Sequence, residues 1–143
     1  MLHRVRFAIH VDRHIVFSYA QEDFTYADAL DHIQRLAKDP RFQPHYRQII
    51  DFRDVADPRT STDEVRALAR HDVFSPDARR AFVTPADVSF GLARIFDTIR
   101  ELRGETGIRV VRTVEEGARW VDVDLALAES TLAGLRSAGE LDR

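Results

Sequence analysis

Four times along this chain, a short apolar stretch is followed by a hydroxyl residue with an acid three positions later. The hydroxyl residue is the first and the acid the last residue of the segments 25–28, 61–64, 84–87 and 113–116. The apolar stretches before these segments are 15–19, 47–52, 80–83 and 108–111. In such a pair the hydroxyl accepts a hydrogen bond from a free backbone N–H, and the helix dipole favours the acid. Strand, cap and helix in succession predict an α/β domain with a mostly parallel sheet.

The first strand lies before these four units and differs in pattern. Residues 3–11 alternate, with Val5, Phe7, Ile9 and Val11 on one face and polar side chains, including Arg6, on the other. This period of two predicts a strand with one face in water. The turn at residues 12–13 leads directly into the 15–19 strand, so we expect an antiparallel hairpin at the start of a mixed sheet.

Helical periodicity predicts helices at 26–37, from Ser61 onward, at 85–103, after Thr113, and at 122–139. Ser75 and Pro76 are typical of one further short helix start. The predicted buried stripe of the 85–103 helix consists of Val88, Leu92, Phe96, Ile99 and Leu102. The additional C-terminal helix at 122–139 is interpreted either as an ordinary packed helix or as a docking surface for a second subunit, which would make a homodimer.

Bulk properties narrow the function classes. The 143 residues fit a single domain over 1–143, and the net charge of −3 argues against general nucleic-acid binding. The absence of cysteine excludes disulfides and thiolate chemistry. Since no long apolar run occurs and the first residues do not resemble a signal peptide, we expect no membrane span and a cytoplasmic protein.

A candidate site follows from the predicted sheet, because the carboxyl ends of parallel strands share an edge with the helix N-termini that follow them. Free N–H groups and partial positive charge there favour an anion. The candidate anion or ligand residues at this edge are Asp51, Arg53, Asp54, Arg59, Thr84, Arg112 and Thr113. Ser61, Thr84 and Thr113 also have a structural interpretation as helix caps.

Other chemistry has weaker signals. Three potential metal ligands lie within five residues: His10, Asp12 and His14. His71, with Asp72 beside it to orient the imidazole, has the side-chain chemistry of a general base. Solvated hairpin residues and a helix-end histidine are the more ordinary interpretations. Phosphate-binding glycine motifs and the G-x-S-x-G elbow are absent. We therefore predict no catalytic residue, no metal site and no cofactor; an enzyme using Asp51, Arg53 and Asp54 is the least favoured alternative.

Residues 49–68 form a buried strand, a polar loop and a hydroxyl-capped helix, and this segment resembles the STAS domain of anti-sigma-factor antagonists. The order of elements over residues 1–121 is similar to that fold as well. Segments 39–42, 78–83 and 90–94 resemble a group of small uncharacterised bacterial STAS-like proteins.

The resemblance implies a non-enzymatic regulatory or protein-interaction module. It implies a partner that is kinase-like or sigma-factor-related, and a phospho-acceptor at Ser61 with Thr60 beside it. Phosphate there would add roughly −1.5 to −2 charges to a partner-facing helix. The stretch 59–62 departs from the antagonist pattern, since it lacks the Asp and the Gly around the hydroxyls.

An alternative function for the same fold is a small-ligand binding module, holding a lipid or a nucleotide between helices and sheet. The aromatic residues that would line such a pocket are Phe7, Phe17, Phe82, Phe90 and Phe96. Periodic aromatic residues are also typical of a plain hydrophobic core.

Overall fold

The structure is a computed structural model, and it describes residues 2–141. Strands and helices alternate along the chain. The strands are β1 Val5–His10, β2 Ile15–Ala20, β3 Arg47–Asp51, β4 Arg80–Val83 and β5 Ile108–Val111. The helices are α1 Tyr26–Lys38, α2 Thr62–Leu68, α3 Asp87–Leu102, α4 Val114–Val121 and α5 Leu125–Leu141. A short 3₁₀ turn, Val11–Arg13, joins β1 to β2.

The five strands form one mixed sheet in the order in which they occur in the chain. β1 is antiparallel to β2, with Phe7 opposite Ser18, while β2 to β5 are parallel. Gln48 of β3 lies opposite Arg80 of β4. The predicted α/β fold, with its N-terminal hairpin, successive strand–helix units and extra C-terminal helix, is confirmed.

Each parallel strand pairs with the next along the chain, so crossovers of one hand place α1, α2 and α3 on the same face of the sheet. On this three-helix face, Leu36 of α1 packs with Val16, and Ala93 of α3 packs with Phe82. On the opposite, two-helix face, α4 and α5 cover Phe17 and its neighbours. The two faces therefore have separate cores.

Three of the four predicted caps form. Thr25 and Ser61 accept from the backbone N–H of the acid three residues on, and that acid accepts from the cap residue's own N–H. Thr113 accepts from Glu116 N at 3.1 Å. These caps satisfy helix N–H groups that would otherwise lack partners, which explains why α1, α2 and α4 begin where they do.

The fourth predicted cap, Thr84, is wrong. Its backbone N–H donates to Val111 O at 2.8 Å, so residue 84 still continues the pairing of β4 with β5. Its buried hydroxyl also donates to Val111 O. The helix begins only at Asp87, and Ala86 occupies the cap position without a side-chain bond.

The predicted buried stripe of α3 is wrong at its two ends, whereas Leu92, Phe96 and Ile99 are half-buried as part of it. Val88 is 59% exposed and Leu102 is 84% exposed, whereas Ser89, Ala93 and Arg100 are buried. A polar Ser and an Arg take the inward positions because both find partners there. Ser89 Oγ donates to Val55 O at 2.6 Å.

The ends of the chain correct two further expectations. The predicted wet face of β1 is covered by α5, and the buried Arg6 donates from Nε to Leu135 O at 2.8 Å. The C-terminal helix begins at Leu125, since Asp122 adopts a left-handed conformation that ends α4. Ala128 and Leu132 of α5 pack on the sheet as the packed-helix interpretation predicts.

The short helix start predicted at Ser75 and Pro76 is wrong. Residues 75–79 form a turn rather than a helix.

Candidate functional site

The predicted edge exists, because β3, β4 and β5 are parallel neighbours and the segments after them emerge side by side. Ser61, Thr84 and Thr113 all follow strand ends at this edge. The helices then diverge: α2 and α3 pass to the three-helix face, while α4 passes to the two-helix face. This edge of the sheet therefore borders both the three-helix face and the two-helix face.

Its acids and arginines bind one another. Asp51 is buried and accepts from Arg53 through both carboxylate oxygens, each bond 3.0 Å long from the guanidinium. Arg53 also donates to Glu129 of α5 at 3.1 Å. Asp54 accepts from Tyr19 at 2.5 Å and from Arg136 at 2.9 Å.

The contacts of Asp54 affect the protonation of Tyr19. Burial and the hydrogen bond to Asp54 raise the pKa of Tyr19 above its ordinary value, so its hydroxyl stays protonated.

The remaining arginines of the edge are Arg112 and Arg59. Arg112 has partners within the protein, since it donates to Asp87 and to Pro85 O and stacks on Phe90. Arg59 is exposed. With its acids and arginines largely paired to each other, the anion platform stays a prediction.

The predicted phospho-acceptor residues lie in different environments. Ser61 is exposed, and its hydroxyl accepts from Glu64 N at 3.1 Å while Glu64 accepts from Ser61 N at 2.9 Å. A phosphate on Ser61 would therefore stand next to a carboxylate. Thr60 differs, because its Oγ1 is buried without a hydrogen-bond partner. Phosphorylation at either residue stays a prediction.

A concave feature with an apolar lining lies elsewhere, between the sheet and helices α1 to α3. It is a cavity of about 130 Å³. Its apolar lining includes Ile33, Leu36, Ile50, Val65, Leu68, Phe82, Leu92 and Phe96. Ile33 and Leu92 are only half-buried, so this lining reaches the surface between the helices.

Of the five aromatic residues predicted to line a pocket, Phe82 and Phe96 do so. Phe17 lies in the core of the two-helix face. Phe7 packs beside Val16 and Leu36, and Phe90 packs beside Ala93, without lining the cavity. The pocket prediction is therefore correct in place but wrong for three of its residues.

A chain of buried polar side chains crosses the floor of the cavity. Ser18 Oγ lies 2.9 Å from His32 Nε2 and accepts from Gln48 Nε2 at 3.0 Å. Arg80 Nε donates to Gln48 Oε1 at 3.1 Å. The three strand residues face the same helices, because Gln48 and Arg80 are paired and Ser18 lies two residues from Val16, the partner of Gln48.

The chain continues into an ion-pair cluster. Glu105, with its side chain 1% exposed, accepts from Arg80 at 2.8 Å and from Arg100 at 2.9 Å. Arg100 also donates to Asp72 at 2.8 Å and to the backbone oxygens of Ala69 and His71. Two buried guanidinium groups thus share one buried carboxylate.

Burial fixes the charge states along this chain. Desolvation, with Arg35 and Arg80 nearby, lowers the pKa of His32 to about 3, so His32 is neutral at pH 7. Desolvation also lowers the pKa of Arg80, although a guanidinium remains protonated near neutrality. The floor therefore presents a neutral imidazole and a fixed cation.

Sequence reasoning missed this network. The available signal was the polar residues within otherwise apolar strands, Ser18 in β2, Gln48 in β3 and Arg80 in β4. Buried polar residues in strands are uncommon and require partners. Glu105 and Arg100 gave no such signal, because each reads as an ordinary surface residue in sequence.

Neither a metal site nor a membrane span emerges from residues 2–141. Within this range no group of three or more His, Asp or Glu side chains could hold a metal ion. No helix in the same range is long and apolar enough to cross a membrane.

Comparison of the chain with models of known families, with curated proteins and with solved structures finds no match. The functional argument therefore rests on the geometry of the cavity and of the edge.

Proposed function

We propose that this protein is a non-enzymatic module that binds a small, mainly apolar ligand between α1–α3 and the sheet. The observation that carries the proposal is the cavity of about 130 Å³ with an apolar lining and a few convergent polar groups. This combination is typical of small-molecule sites. An engineered apolar cavity of about 150 Å³ is large enough for benzene, so a space of about 130 Å³ fits an apolar group of about six non-hydrogen atoms.

Filling this space is energetically favourable. Unfilled apolar space in an enclosed cavity costs about 24 cal/mol per Å³, so the contacts open to a ligand in about 130 Å³ are worth at most about 3 kcal/mol. The chain contains many large apolar residues, and the opposite face of the same sheet is closely packed by such residues. A ligand that fills the space makes these contacts and stabilises the folded state by RT ln(1 + [L]/Kd).

The test is to fill the cavity from within. Ala93 lines the cavity, and Ala93→Leu introduces three carbons into it. We expect the variant to remain folded and to lose the thermal stabilisation that small apolar compounds give the original protein. Ala133→Leu, the same change at an exposed position of α5, is the matched control. Equal ligand-induced stabilisation in both variants would contradict the proposal.

We also propose, as a second function, the regulatory interaction module that the STAS resemblance implies. The exposed position of Ser61 next to Thr60 favours this second function. Because Thr60 lines the cavity, a partner bound at the start of α2 would lie beside residues that a ligand contacts. Recovery of a kinase-like or sigma-factor-related partner from the native host, lost with Ser61→Asp and kept with Ser61→Ala, is the expected result. Unchanged recovery with both variants contradicts a phospho-switch.

A further inference from the structure

We infer that the ligand is an amphipathic monocarboxylate, whose carboxylate lies on Arg80 and whose apolar part lies beneath α2 and α3. The inference rests on the proposed ligand-binding function and adds the chemical class of the ligand. Three observations carry it: the charge of the buried cluster, the free edge of one guanidinium, and the apolar remainder of the cavity.

The charge of the cluster is the first observation. Arg80 and Arg100 are 11% and 4% exposed, and both pair with Glu105. The other acid on Arg100, Asp72, is 65% exposed and shares its charge with Arg103. His32 adds no charge, because burial holds its pKa at about 3. Among the buried side chains of this cluster, two guanidinium groups thus share a single buried carboxylate, and the carboxylate of a ligand would add a second acceptor.

The donor geometry of Arg80 is the second observation. Its Nε donates to Gln48, and its Nη1 donates to both oxygens of Glu105. Within residues 2–141 its Nη2 donates no hydrogen bond, yet Arg80 lines the cavity. Phe74 lies 4.1 Å from Cζ and Phe82 lies 5.3 Å from it, so aromatic rings cover the guanidinium. Nη2 is therefore the guanidinium nitrogen left for an acceptor on a ligand.

The remainder of the cavity selects among anions. Beyond Arg80 its lining is chiefly Leu, Ile, Val and Phe from α1, α2, α3 and the sheet. A phosphate or a nucleotide carries more charge and more acceptors than one guanidinium edge satisfies. A carboxylate needs few donors, and a short alkyl or aryl group matches both the apolar lining and the volume of about 130 Å³. A small monocarboxylic acid fits all three observations.

Thr60 adds a polar group to the cavity away from Arg80. Its Oγ1 is buried and unpartnered, and it lies in the loop after β3, whereas Arg80 begins β4. Because parallel strands begin and end at opposite edges, the two groups lie towards opposite ends of the cavity. A ligand with a hydroxyl or carbonyl at its far end would also reach Thr60.

The experiment compares hexanoate with 1-hexanol, which share an alkyl chain and differ in the carboxylate. Both are titrated into the full chain at pH 7 and followed by ¹H–¹⁵N NMR. We expect hexanoate to bind at least about tenfold more tightly, as charged hydrogen bonds in buried sites do. Equal affinities would overturn the carboxylate inference and leave the proposed function standing. No binding by either compound would overturn both.

Substitutions then test the role of Arg80. Arg80→Met removes the cation and still leaves Glu105 paired with Arg100, so we expect a folded protein that binds hexanoate and 1-hexanol equally. Arg80→Lys keeps the charge, and we expect it to keep part of the preference. Arg109→Met, at an exposed arginine stacked on Trp120, is the control and should bind as the original protein does. A full hexanoate preference in Arg80→Met would overturn the assignment.

Discussion

The two faces of the sheet use the same strands in opposite ways. On the two-helix face, Phe17, Ile49 and Ala81 pack in an apolar cluster against α4 and α5, and the buried Arg6 and Asp51 lie on the same face outside that cluster. Helix α4 approaches closely there, since a Cβ added at Gly117 would lie 3.3 Å from the side chains of Ala81 and Val83. The three-helix face carries the cavity and the polar chain instead.

This difference shows how one sheet separates stability from binding. Neighbouring residues of β3 point to opposite faces, so Ile49 packs in the dry core while Gln48 bonds to Ser18 and Arg80. Close packing on one side supplies stability from apolar contacts. The three-helix face carries the apolar-lined cavity and the cluster of Arg80, Glu105 and Arg100.

The largest expected effect is on the ion-pair cluster of the three-helix face. Glu105→Gln removes the carboxylate that two buried arginines share, and we expect it to lower the free energy of unfolding by about 3–5 kcal/mol. Arg80→Met leaves no buried charge unpaired, so we expect a much smaller loss. Urea denaturation measures both. Equal losses would mean that the cluster is not organised around Glu105.

Next in size is a comparison of the two faces by the same substitution. Leu132 of α5 is fully buried against the sheet, and Leu132→Ala should cost about 3 kcal/mol. Leu92 lies beside the cavity and is half-buried, so Leu92→Ala should cost about 1 kcal/mol, because little packing is lost. Chemical denaturation of the two variants checks this, and similar losses would contradict a difference in packing between the faces.

The features that the sequence predicted correctly depend on contacts between residues that are close together in the chain. The caps at Thr25, Ser61 and Thr113 depend on hydrogen bonds within four residues, so they are visible in the sequence. Strands and their parallel order follow from apolar stretches that alternate with helices. Thr84 failed because its pairing with Val111 depends on β5, a strand far along the chain.

Long-range chemistry explains the rest. Arg100 occupies a buried position of α3 only because Glu105 and the carbonyls of Ala69 and His71 accept from it. A hydrophobicity pattern assigns such a residue to the surface, which is why the predicted α3 stripe omitted Arg100. The position of the cavity, between the helices and the sheet, was predicted from the sequence. Its polar floor was not predicted, because the register of neighbouring strands brings residues such as Gln48 and Arg80 together.

The third prediction concerns pH and the same polar chain. His32 has a pKa of about 3 in the folded protein against 6.5 in an unfolded chain, so at pH values between these the unfolded state binds more protons. Its contribution to stability is complete above pH 6.5 and is lost as the pH falls towards 3. We expect a loss of about 2 kcal/mol between pH 7 and pH 5.

Two histidine variants isolate that effect in denaturation curves at several pH values. His32→Gln keeps a donor towards Ser18 and cannot take up the proton, so we expect this part of the pH dependence to disappear. His3→Gln, at a side chain 52% exposed, should keep it. If both variants retain the original slope, His32 is accessible to protons in the folded state and the floor of the cavity is wetter than its packing indicates.

The smallest expected effect sharpens the comparison at the other end of the cavity. Thr60 Oγ1 is buried without a partner, and Thr60→Val exchanges that hydroxyl for a methyl group of similar size. Because an unsatisfied buried hydroxyl is destabilising, we expect the ligand-free variant to gain about 1 kcal/mol. Thr62→Val, at an exposed neighbour, should change stability by less than about 0.5 kcal/mol. A loss of stability in Thr60→Val would mean that the hydroxyl has a bound partner in the protein as purified, and a retained ligand is then the first candidate.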